Sequence, residues 1–136
     1  MNYAGLAYIA RQHARLTSGQ GVSLVIASQH TDEAVGHINL MRRPQPGVAG
    51  IGYWIVPSAR RRGIASRAIS LTTAWGLSAG DFARIEAWVE PDNHASQRVL
   101  ERNGYLREGR LRSFLTFGDR RADVLVYSRI SADAKS

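Results

Sequence analysis

The sequence predicts one α/β (α+β) domain, a twisted mixed β-sheet flanked by helices. Three observations lead there. A chain of 136 residues with 44% apolar content has room for one sizeable core but divides poorly into two. Helical and strand periodicities follow one another in the order helix, strand, strand, strand, helix, strand, helix, strand, strand, the pattern of a mixed sheet. No repeat or low-complexity stretch interrupts them. The domain is expected to occupy residues 1–130, with 131–136 as a flexible tail.

Each element has its own signal. From Tyr3 to Leu16, Leu6, Ile9, Ala10, His13 and Leu16 recur at helical spacing, and Gly19 and Gly21 end that helix. Val22 to Ser28 is rich in β-branched and aliphatic residues, and Val35 to Met41 alternates, with Ile38 and Leu40 opposing His37 and Asn39. Joined by the polar Gln29 to Glu33, these two read as an antiparallel hairpin. A loop through Pro44, Pro46 and Gly47 leads to a third strand, Gly50 to Val56, closed by Pro57. In the next helix Ile64, Ala68, Leu71, Ala74 and Trp75 form the apolar stripe, and Gly80 marks its end. A fourth strand, Ala83 to Glu90, sets Ile85, Ala87 and Val89 against Glu86, Trp88 and Glu90. Asn93 suits the N-cap of a helix from His94 to Asn103, and Gly104 suits its left-handed stop. Tyr105 begins a short strand, Gly109 to Phe117 reads as irregular, Gly118-Asp119 as a turn, and Ala122 to Ile130 as the last strand.

Composition narrows the chemistry. With no cysteine there is no disulfide, no thiolate nucleophile and no thiolate metal site. His13, His30, His37 and His94 lie far apart with no pair at metal-ligand spacing, so no metal site is expected. The absence of a membrane-length apolar run or a signal-like start predicts a cytoplasmic protein with no membrane partner. The formal charge of +7 favours an anionic partner, but the arginines are dispersed except at Arg60 to Arg62, which disfavours nucleic acid.

That cluster opens the most informative segment, Arg60, Arg61, Arg62, Gly63, Ile64, Ala65, set between a strand and a helix. A strand turning directly into a helix through glycine points several N–H groups one way, at the positive end of the helix dipole. Gly63 lets backbone approach a phosphate, Ala65 keeps the helix close to the sheet, and the arginines raise the local potential. There is no Gly-Lys-Ser/Thr ending for a P-loop, and Gly50-x-Gly52 lacks the third glycine of a dinucleotide fingerprint. Alone, the segment is an anion cradle or a packing turn.

Its surroundings resemble the GNAT superfamily of N-acetyltransferases. The family pattern Gln/Arg-x-x-Gly-x-Gly/Ala is matched by Arg60-x-x-Gly63-x-Ala65. Gly52-Tyr53-Trp54 through Pro57 is similar to the preceding strand, and Glu90-Pro91-Asp92-Asn93-His94-Ala95-Ser96 through Asn103-Gly104-Tyr105 to the next strand-to-helix unit. Arg107-Glu108-Gly109 and Arg120-Arg121-Ala122-Asp123 with Tyr127 also fit, so the resemblance runs from Val22 onward, closest to the RimJ/RimL-like branch.

The resemblance implies acetyl-coenzyme A as cofactor and an amine acceptor, either a protein N-terminus or a small molecule. It implies a third and fourth strand that splay to admit pantetheine, with Ile55 and Val56 supplying backbone hydrogen bonds. Arg61 to Ser66, with Arg60 beside them, would hold the pyrophosphate, and Asn93 the cofactor arm, a role compatible with helix capping. Transfer needs a base for the ammonium, an oxyanion donor and an acid for the leaving thiolate. Where many members place a tyrosine acid, this chain has Leu100; the Asn93-x-x-Ser96 unit offers Ser96 instead. The position of the glutamate base of RimL-like enzymes corresponds to Leu115, leaving Glu86 as the preferred base and Glu90 beside it, unless these are solvated charges on a sheet face. Trp54, Trp75 and Trp88 read as core or groove wall.

Relatives usually carry a strand and a helix before the point where Met1 stands, so a shortened fold is expected, with Val22 to Ser28 an open edge inviting a homodimer. Two other functions stay open: a non-catalytic acyl-CoA-binding protein or subunit, and a basic nucleic-acid-binding module.

Overall fold

The computed structural model describes residues 21–27, 33–60 and 63–135. The helix expected over Tyr3 to Leu16, the end of the first strand at Ser28, most of the connection from Gln29, and Arg61 and Arg62 lie outside the described residues. Six strands form one sheet in the order β1-β2-β3-β4-β6-β5: β1 Gly21–Ala27, β2 Ala34–Arg42, β3 Val48–Ile55, β4 Arg84–Val89, β5 Leu106–Phe117 and β6 Arg120–Ile130. Helix α1, Ile64–Leu77, joins β3 to β4, and α2, His94–Arg102, follows β4. All neighbours are antiparallel except β3 and β4, the parallel pair that a helical crossover permits.

Period-two alternation puts one row of apolar side chains on the helix-bearing face. Val22, Leu24 and Ile26 of β1, Ile38 and Leu40 of β2, Ala49, Ile51 and Ile55 of β3, and Ile85, Ala87 and Val89 of β4 are all buried there. Helix α1 lies close on this row. A Cβ on Gly76 would come within 2.7 Å of Leu40 Cδ2 and 2.9 Å of Ile85 Cδ1, so only glycine permits that approach. Between α1 and the start of β5, Thr73 Oγ1 and the Tyr105 hydroxyl share a buried hydrogen bond of 2.7 Å.

Two expectations need correction. The buried face of α1 is Ile64, Ala68, Ile69, Thr72, Thr73 and Gly76, whereas Ala74 and Trp75 are exposed. Gly76 makes the close approach to Leu40 and Ile85 of the sheet, while Trp75 lies on the exposed side of the helix. The stretch Gly109 to Phe117 is ordered as most of a twelve-residue strand, not irregular. Its alternation is hidden because nearly every residue of β5 is exposed, and two register shifts interrupt it. At the second shift Ser113 takes φ 52°, and Asp123 accepts hydrogen bonds from Ser113 N and Arg110 Nε, each at 2.8 Å. Ser131–Lys135 close the described chain in a short 3-10 turn.

At the other edge of the sheet, β1 pairs with β2 alone among the described residues. No helix among them is long and apolar enough to cross a membrane.

Candidate active site

The parallel pair is short. β3 and β4 are in register only through Val48, Ala49 and Gly50 opposite Arg84, Ile85 and Glu86, after which the strands diverge. Past that point the backbone edge of β3 that faces β4 has no strand partner among the described residues. Val56 N donates to Val35 O at 2.8 Å on the β2 side, which turns the Ile55 amide and carbonyl toward the gap. Ile55 O is held there by Arg60 Nε at 2.9 Å. An extended chain bearing amides fits this edge as an added strand does.

At the top of the gap a 3-10 turn, Pro57–Ala59, leads to Gly63, the N-cap of α1, with φ 76° and ψ 7°. That left-handed conformation is open to glycine at little cost. The cap has no side-chain hydrogen bond and the first turn no acidic residue, so the N–H groups of Ile64, Ala65 and Ser66 meet no intrahelical acceptor and no competing carboxylate. Such an end favours an anion. Ser66 Oγ accepts from Asn103 Nδ2 at 3.1 Å, which ties this turn to the end of α2.

Helix α2 begins a short turn beyond the end of β4. Asn93 Oδ1 accepts from Ser96 N at 3.2 Å, the N-cap geometry expected of it. Ser96 Oγ, in the first turn, lies 2.7 Å from the Tyr53 hydroxyl on β3, so one hydrogen bond spans the gap between the diverging elements. Burial pushes the Tyr53 phenol above its ordinary value, against a smaller lowering by the Ser96 bond. Leu100, one turn further, is fully buried in the core.

The opposite face of the sheet carries the carboxylates. Glu86 stands where the gap begins, 3.0 Å from Arg84 Nε and 3.7 Å from Arg43 Nε. Glu90, beyond the open end of β4, reaches Arg120 at 3.4 Å. Arg84 also forks onto Glu108, which takes a third hydrogen bond from Ser128 Oγ at 2.7 Å. Those donors hold the Glu108 carboxyl down at about 2. Arg43 lies 4.0 Å over the Trp88 ring, whose edge meets Phe114 at 5.2 Å. Trp54 and Trp88 are thus partly exposed walls of this face.

Residues 4–106 match the family model described as Acetyltransferase (GNAT) domain. The chain belongs to the GNAT acetyltransferases. It is 37% identical over 110 residues to the uncharacterized N-acetyltransferase YoaA of Bacillus subtilis (strain 168), covering 80% of this chain and 62% of that one. To the ribosomal-protein-serine acetyltransferase of Escherichia coli (strain K12) it is 34% identical over 100 residues, 73% of this chain and 56% of the relative. Its fold superposes on that of Mycobacterium smegmatis RimJ in complex with CoA-disulfide with a TM-score of 0.82 at 28% identity, over 90% of this chain and 59% of the other. The chain therefore spans less than two thirds of the length of the curated relatives it matches.

Within this GNAT frame the structure brings Ile55, Arg60, Gly63, Asn93 and Ser96 around one gap, with Glu86 on the far face. Val56 turns its N–H to β2. Leu115 is half-buried at the second register shift of β5, opposite Ala122. Sequence reasoning passed over Tyr53, Arg43 and Arg84. The one available signal was that Tyr53 shares the inward face of β3 with Ile51 and Ile55, where a hydroxyl needs a partner.

Proposed function

We propose that this protein transfers an acetyl group from acetyl-coenzyme A to a primary amine by direct attack. The observation that carries the reading is the gap between β3 and β4, which has an unpaired strand edge on one side and an uncapped, glycine-led helix N-terminus at its head. Arg60 to Ser66 would hold the pyrophosphate and the Ile55 backbone would align pantetheine, whereas Val56, whose N–H and carbonyl are taken by Val35 and Ala59, would not; Asn93 would set the first turn of α2 against the cofactor arm. The coenzyme supplies the activated thioester. Ser96 serves the leaving sulfur as acid. Glu86, at the point where the gap begins, takes the ammonium proton through water, with Glu90 as the second carboxylate of that face. Holding the reactants in line contributes much of the acceleration.

For the acceptor, the similarity to a ribosomal-protein-serine acetyltransferase favours a protein N-terminus. Thiol release is expected with peptides beginning in serine or alanine, above that with polyamines or aminoglycosides. Gly63→Glu sets a carboxylate on the cradle in a strained conformation and should weaken acetyl-CoA binding by more than tenfold in calorimetry, since each charge-assisted hydrogen bond is worth about 1.5–3 kcal/mol. Unchanged binding by a folded Gly63→Glu variant rejects the pyrophosphate site.

A further inference from the structure

We propose that Tyr53 is the positioning residue of the transfer reaction, its hydroxyl donating to Ser96 Oγ so that the serine proton points at the leaving sulfur. The inference rests on the acetyl-transfer reading above and extends it to a residue that the loop motif does not contain.

The geometry is specific. Tyr53 and Ser96 are 43 positions apart in the chain and meet at 2.7 Å, the ordinary length of a hydroxyl–hydroxyl bond. Tyr53 stands on the splayed half of β3, two residues before Ile55. Ser96 is the third residue of α2, with its N–H fixed by Asn93. The serine is thus held at backbone and side chain by two different elements that flank the gap. A free serine hydroxyl rotates among three wells, and a hydroxyl donor fixed against one lone pair leaves the hydrogen only the other two.

Chemistry gives the bond a purpose. An aliphatic hydroxyl is a weaker acid than a thiol, so Ser96 alone protonates a thiolate poorly. A phenol, ordinarily near 10, is closer to the thiol range, and its hydrogen bond polarises the serine O–H. Burial keeps the Tyr53 phenol protonated, and therefore a donor, at neutral pH. The step balances. The amine nitrogen bonds to the carbonyl carbon, the C–S bond breaks with its electron pair on sulfur, and the ammonium proton leaves through water to Glu86. Ser96 passes its proton to sulfur and recovers one through water from the nitrogen, which sheds its second proton as the amide forms, while Tyr53 keeps its own.

Tyr53→Phe removes only the hydroxyl. Using acetyl-CoA with a serine-initiated peptide, we expect kcat to fall roughly tenfold while the KM for acetyl-CoA and the calorimetric Kd for coenzyme A stay within about twofold. In a Ser96→Ala background the same change should have no further effect on kcat, because the two hydroxyls act as one unit. A structural bridge alone would instead lower the melting temperature and raise KM while kcat stays near the wild-type value. Wild-type kcat in Tyr53→Phe, or an additive double variant, overturns the inference and leaves acetyl transfer standing. If the wild-type protein binds coenzyme A but releases no thiol with any peptide or amine, the transfer reading fails and the role of Tyr53 falls with it.

Discussion

At the scale of single residues, two positions bear on the chemistry of the site. Leu100, at the position where the family resemblance implies a tyrosine acid, is fully enclosed between α2 and the sheet. It contributes packing. Leu100→Ala should cost about 2–5 kcal/mol in chemical denaturation with an unchanged m-value, the usual range for a leucine cavity. Glu86 is the second position. Its carboxylate is met by Arg84 and Arg43, and Arg43 lies flat over Trp88 because Gly50 has no Cβ to displace the guanidinium. Glu86 is therefore an oriented carboxylate on the sheet face opposite the helices.

At the scale of elements, α2 organises the site. It has one fully buried residue, Leu100, and its start is fixed by Asn93 rather than by a broad apolar stripe. The cap therefore bears on both helix stability and the position of Ser96. Asn93→Ala should lower stability by about 0.5–2 kcal/mol, and Asn93→Ser should recover most of it, as thermal melts of the three proteins will show. If the loss persists in Asn93→Ser, the asparagine is held by contacts other than the cap. Strand β5 makes the complementary point. Its two register shifts place Ser113 and Arg121 against each other, with Arg121 Nε 2.7 Å from Ser113 Oγ, and fold the exposed hairpin back toward Trp88 through Phe114.

Across the whole molecule, charge is arranged as a chain on the face opposite the helices. Arg43, Glu86, Arg84, Glu108 and Ser128 link the end of β2 to β4, β5 and β6. Glu108 is depressed from 4.5 to about 2, so the folded state binds its proton less tightly than the unfolded chain. The resulting stabilisation is complete above pH 4.5 and is lost as pH falls toward 2. The Glu108 side chain is 44% exposed, so solvent screening limits the contribution to about 1 kcal/mol or less. Glu108→Gln should thus melt slightly below the wild type at pH 7 in low salt, and the difference should vanish near pH 2 and shrink in high salt. A difference that persists at pH 2 assigns the effect to packing.

The sequence by itself determined the order of the elements from β1 onward, the glycine that turns a strand into α1, the asparagine that starts α2 and the family they signal. These are local features: periodicity, a left-handed φ at Gly63 and a cap over three residues are set within a few positions of the chain. What only the tertiary structure decided is which distant side chains meet. Sheet register and the path of two helices bring Tyr53 to Ser96, Arg43 to Glu86, Arg84 to Glu108, and Thr73 to Tyr105. No spacing in the chain encodes those meetings, because each depends on how the strands twist and where β3 and β4 part.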